Sequence, residues 1–134
     1  MPRVFRVMKK ESDGLPKVGP ADLGVRPSDV DVDAQNNILV NGKGMSVAPE
    51  WQDININRIP KRLRLLMPGA GGANSSFCFC FGTGPFSQGP FANALTLEPD
   101  LATHGNVAPE LSVPLATYEA DLAATRPDWE VVET

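Results

Sequence analysis

Two cysteines, one histidine and no surplus of positive charge set the first limits on this chain of 134 residues. Cys78 and Cys80 stand one residue apart, so on a strand they point the same way and are poorly placed to bridge each other. With His104 as the only histidine, they lack the further ligands that a Cys-His zinc site requires. They read as buried apolar side chains, compatible with a reducing compartment. The formal net charge is -4 and the pI about 4.9. A nucleic-acid binder needs a cationic field that displaces counterions from phosphates, so this balance argues against general DNA or RNA binding. Ile59 to Leu66 is locally basic, and one or two well-placed arginines suffice for a small anionic ligand. No apolar run reaches the length of a membrane span. MPRVFRVMKK lacks the apolar core of a signal peptide, so the expected location is cytoplasmic.

What is present points to one domain over residues 1–134. Gly 12 and Pro 13 make the chain heavy in turns, so short strands, long ordered loops and little helix are expected. VFRVM from Val4 reads as a first strand, with Arg6 facing opposite to Phe5 and Val7. Val30–Asp33 and Ile38–Val40 read as a hairpin around AQNN, because Asn tolerates positive φ. IPKRLRLLM, Ile59 to Met67, fits helical spacing and strand alternation equally well, and its length favours a short helix or an edge element. PGAGGANSS reads as a flexible loop. FCFCF, Phe77 to Phe81, is the strongest strand and should be central and buried on both faces. Leu95–Leu97 and the segment from Val107 read as further short strands. PLATYEADLAATR, Pro114 to Arg126, is the one clear helix, with Pro114 in its first turn, Leu115, Tyr118 and Leu122 on one stripe, and Pro127 as its stop. Trp129 to Val132 closes the sheet. The expected architecture is a compact α+β domain with a mostly antiparallel sheet.

Several residues are candidates for chemistry. PGAGG fails both phosphate-binding patterns: it has no GxxxxGK[ST], and no strand–helix pair with correctly spaced glycines. Arg6 in mid-strand faces either water or a site. Ser46, in VNGKGMSVAPEW, is on pattern alone a turn residue. His104 is either a turn histidine or a ring aimed into a pocket, and it is the only side chain that ordinarily titrates near neutrality. Glu50, Glu110 and Glu119 are the carboxylates considered: Glu119 is displaced from the helix stripe and solvated, Glu110 follows Pro109 in a loop, and no pair has glycosidase spacing.

Taken together and in order, VFRV with Arg6, GMSVAPEW with Ser46, and HGNVAPELSVPLATYEADLAATRPDW with His104 resemble the Tse-two-like toxins of type VI secretion. The likeness covers the two ends of the chain; Asp53 to Pro99 adds little. It implies an ADP-ribosyltransferase-like fold and a cytotoxic effector that binds NAD as substrate, transfers ADP-ribose to an intracellular target of the producing or a recipient cell, and has a cognate immunity protein as partner. The aromatic-Arg pair becomes Phe5-Arg6, with Arg6 on the NAD diphosphate. The Gly-x-Ser-Val element becomes Gly44-Met45-Ser46-Val47, with Ser46 on the ribose or amide and Met45 packed on the ring. His104 becomes a further NAD-binding residue. The family's catalytic glutamate has no matching motif here, and Glu110 is the nearest candidate for that role. The competing expectation is a non-enzymatic, antitoxin-like binding module that grips a partner through its acidic surface and the loop aromatics Phe86 and Phe91. A ribosome-directed ribonuclease is disfavoured by the acidic pI. In a toxin, Arg6, Ser46 and His104 should gather around one cleft; in a binding module they should scatter.

Overall fold

A computed structural model describes residues 1–133 of the chain as an α+β fold with two antiparallel sheets. In chain order the strands are β1 (Val4–Lys9), β2 (Met45–Val47), β3 (Ser76–Phe81), β4 (Gly89–Pro90), β5 (Leu95–Leu101), β6 (His104–Pro109) and β7 (Trp129–Val131). Helix α1 (Leu115–Ala124) lies between β6 and β7. One sheet has the order β1-β3-β7, the other β2-β6-β5-β4.

The all-apolar FCFCF segment makes β3 the central strand of the first sheet, paired with β1 from Val4↔Phe81 to Lys9↔Ser76 and with β7 through Phe81↔Trp129. Alternation sends its side chains into two separate cores. Phe79 and Phe81, with Val4 and Met8 of β1, enter the larger one, where Leu95, Leu97, Val107, Tyr118 and Leu122 meet them. There Phe81 stacks on Phe91 at 4.2 Å between centroids and tilts against Trp129 at 5.3 Å. Phe5, Val7, Cys78 and Cys80 face the other way, onto Trp51, Ile59, Leu63 and Ala70. The thiols are free, and burial pushes the Cys78 thiol up to about 12 and raises that of Cys80. A thiol reagent at pH 8 is therefore expected to label neither cysteine in the native protein and both after denaturation. Rapid native labelling would contradict the burial of this face.

Helix α1 begins behind Pro114 and buries Tyr118 and Leu122. At its end Trp129 Nε1–H donates to Thr125 Oγ1 at 2.9 Å, and that hydroxyl donates to the Leu122 carbonyl at 2.7 Å. The helix end and β7 are thus joined through one buried threonine.

Three sequence expectations need correction. The Val30–Val40 hairpin reduces to a single bridge, Val32↔Ile38. Asn36 does take a positive φ of 64°. The second arm, however, turns to the segment before the helix: Ile38 N–H donates to the Val113 carbonyl, and Asn37 bridges Pro114. The Ile59–Met67 stretch is neither a regular helix nor a strand. It makes a 3₁₀ turn at Lys61–Leu63 and buries Ile59 and Leu63, while Leu65 is almost wholly exposed. Its arginines hold the PGAGGANSS loop instead, Arg64 Nε–H donating to Ala70 O at 2.8 Å and Arg62 to Asn74 O at 2.7 Å. The loop aromatics Phe86 and Phe91 are not surface grips: Phe91 is buried in the larger core and Phe86 packs against it.

Candidate functional site

Besides packing together in the larger core, the two sheets are joined among the described residues by one backbone bridge. Phe5 N–H donates to Ala48 O at 2.7 Å, and Ala48 N–H donates to Phe5 O at 3.0 Å. Beyond it β1 and β2 are not paired. A cleft of about 280 Å³ lies at this junction. Its walls come from Phe5 to Val7 of β1, Ser46 to Ala48 at β2, His104 at the start of β6, and Asp53, Ile54, Asn55 and Arg58 from the loop after β2. Arg6, Ser46 and His104, which are distant in the chain, therefore line one cavity.

Arg6 shares the face of β1 with Val4 and Met8, as the alternation requires, and is 7% exposed. Its Nε–H donates to Asp22 O and its Nη1 to Ser46 O, both at 2.7 Å. Among the described residues no carboxylate forms an ion pair with it. Asp22, which lies close by, instead accepts the Lys9 backbone N–H at 2.7 Å. Desolvation, then the positive Arg58, lower the Arg6 guanidinium to about 10, against the pull of Asp29 and Asp22. The result is a guanidinium held rigidly by two carbonyls at a cleft, with N–H groups to spare and no anion of its own.

Ser46 sits on β2 opposite Asn106 of β6. Met45 and Val47 on either side are buried, whereas Ser46 lines the cleft. Its hydroxyl makes no hydrogen bond among the described residues, while its carbonyl holds Arg6. Gly44 precedes it because nothing larger fits: a Cβ there would collide with the Val107 carbonyl and lie 2.8 Å from Tyr118 Oη. That hydroxyl accepts the Met45 N–H at 3.0 Å and donates to the Val107 carbonyl, so it bridges two register partners. The buried Tyr118 thus ties helix α1 to the strand that carries Ser46.

His104 is the first residue of β6 rather than part of the turn before it. Its Nδ1 lies 2.6 Å from Asp100 Oδ1, which orients the ring at the mouth of the cleft. Gly105 beside it leaves room for the Phe86 ring, whose Cζ would be 2.9 Å from a Cβ at that position.

The remaining sequence candidates lie elsewhere. Met45 is fully buried in the larger core and cannot pack on a bound ring, because its neighbour Ser46 takes the cleft-facing position. Glu110 follows the opposite end of β6 from His104, exposed, with its N–H on Ala94 O. Five strand residues, Gly105 to Pro109, separate it from His104 at the cleft. Glu50 pairs with Arg3 at 3.2 Å, and Glu119 is exposed on α1. Asp53, Asn55 and Arg58 went unread in the sequence. Their stretch, QDININR, carries turn-forming Asp and Asn, and Asn55 Oδ1 does cap the Asn57 N–H at 2.9 Å. That signal marks a loop but does not say which cavity it borders.

No family model, curated protein or solved structure matches this chain.

Proposed function

We propose that this protein is a cytotoxic effector whose cleft binds NAD and transfers ADP-ribose to an intracellular target. One observation carries the reading: a buried, carboxylate-free arginine, an unengaged serine hydroxyl and the chain's only histidine line one cavity at the junction of two antiparallel sheets. These are the residues through which the sequence resembles the Tse-two-like toxins, and an ADP-ribosyltransferase-like fold goes with that reading. A volume of about 280 Å³ is near the lower edge of ligand cavities, which span ~300–1,000 Å³, so it suits part of a dinucleotide with the rest over the mouth.

The chemistry follows from the groups available. Arg6 donates charge-assisted hydrogen bonds to the diphosphate. The Ser46 hydroxyl and the His104 ring hold the ribose or the carboxamide. The bond between ribose C1′ and the nicotinamide nitrogen breaks, and its electron pair leaves with neutral nicotinamide. The ribose gains oxocarbenium character and is captured at C1′ by a nucleophile of the target, which gives up its proton. A cell that makes such a toxin needs a cognate immunity protein.

Expression in a bacterial or yeast host is expected to arrest growth, and extract incubated with labelled NAD is expected to acquire label as nicotinamide is released. Ser46→Ala is expected to lower the release rate about fivefold, the worth of one neutral hydrogen bond, with His104→Ala similar. If both variants fold and keep full activity, the cleft is not the site.

A further inference from the structure

Three charged side chains line the cleft without an ion pair among the described residues: Arg6, Arg58 and Asp53. Asp53 and Arg58 stand on one loop whose backbone is fixed at both ends, by buried Trp51 before it and buried Ile59 after it. Within it Asp53 N–H donates to Glu50 O at 3.1 Å and Arg58 N–H to Asn55 O at 2.8 Å. The loop is thus anchored while both charged side chains remain exposed on it. Opposite charges that share a cavity and yet do not neutralise each other suit a ligand that carries both signs. Oxidised NAD is such a ligand: its diphosphate is anionic and its pyridinium ring cationic.

We infer that the Asp53–Arg58 loop reads both charges of the dinucleotide, Arg58 joining Arg6 on the diphosphate and Asp53 facing the cationic nicotinamide ribose. This rests on the NAD reading of the cleft. Arg58 lines the same cleft as Arg6, and repulsion between the two adds to burial in lowering the Arg6 guanidinium. A diphosphate between them relieves that repulsion. Asp53 supplies at the cleft the carboxylate for which Glu110, beyond the far end of β6, lies too distant. There it favours the oxidised ring over the uncharged reduced one and stabilises the positive charge that grows on the ribose as nicotinamide departs.

Calorimetry with NAD⁺, NADH and ADP-ribose tests the assignment, since all three share the diphosphate and only NAD⁺ carries the ring cation. Arg58→Ala is expected to weaken all three about tenfold, as loss of one charge-assisted contact does. Asp53→Asn is expected to weaken NAD⁺ about fivefold and to leave NADH and ADP-ribose within twofold. Circular dichroism should show both variants folded, because both side chains are exposed. The inference is overturned if Arg58→Ala leaves all three affinities within twofold, or if Asp53→Asn shifts the three ligands equally. The expected binding pattern without any nicotinamide release removes the transferase reading and leaves the charge assignment standing. Nicotinamide release unaffected by either variant keeps the transferase and removes the role of this loop.

Discussion

Arg6→Lys is expected, on the proposed NAD reading of the cleft, to lower nicotinamide release at least a hundredfold while the chain stays folded. Lysine keeps the positive charge but not the fork. Arg6 reaches Asp22 O through Nε and Ser46 O through Nη1, and this pair of contacts orients the remaining N–H groups. One ammonium cannot serve both carbonyls and a diphosphate from a single point. A hundredfold loss corresponds to roughly 2.7 kcal/mol, within the range for removing a desolvated charge-assisted contact. Arg6→Met separates binding from stability. The folded guanidinium, at about 10, lies below its ordinary value, so the unfolded chain binds more protons between the two. Stability therefore rises with pH across that window, and below it the buried charge opposes folding. Methionine removes that opposition but leaves two carbonyls without a donor, so its stability should stay within about 1–2 kcal/mol of wild type. Activity should nevertheless vanish. An Arg6→Lys variant within threefold of wild type would show that the arginine serves only to hold the strands.

Gly44→Ala is expected to produce the largest loss of stability, about 3 kcal/mol or more. The added methyl meets the Val107 carbonyl, a backbone group fixed in β6, and the Tyr118 hydroxyl at 2.8 Å. No flexible side-chain end is available to yield, so β2 must move away from β6. Both hydrogen bonds of the Tyr118 hydroxyl then stretch, and the buried Met45 N–H loses its partner. For a domain of this size the midpoint should fall by roughly 10 °C. The same shift displaces the Ser46 carbonyl that orients Arg6, so activity should drop even where the variant remains folded. Gly19→Ala is the control: nothing lies within 4 Å of a Cβ there and its backbone is ordinary, so its melting point should match wild type. Equal melting curves for the two variants would contradict the packing of Gly44 against β6.

Much of the fold follows from local pattern. The alternation in VFRVM sends Phe5 and Val7 into one core and Val4 and Met8 into the other. FCFCF has no polar face and takes the centre of its sheet. Pro114 and Pro127 bracket the helix, and Tyr118 and Leu122 fall on its buried side. These features depend on period, steric preference and chain breakers, all of which act over a few residues. The hairpin expected at Val30–Val40 fails for the complementary reason, since the better partner for Ile38 lies at Val113, far along the chain.

The site divides in the same way. Arg6, Ser46 and His104 stand out in the sequence because each is a polar residue of particular chemistry in a short, unusual context. That they share a cavity depends on Phe5 pairing with Ala48 and on β2 pairing with β6, contacts between segments tens of residues apart. The same pairings place Met45 in the core and Glu110 beyond the end of β6 opposite the cleft. Asp53 and Arg58 reach the cleft only because Trp51 and Ile59, on either side of them, bury against the far face of β1 and β3. Side-chain period along a strand is a property of neighbouring residues, whereas the meeting of two strands is selected by which apolar surfaces exclude water best once the whole chain collapses.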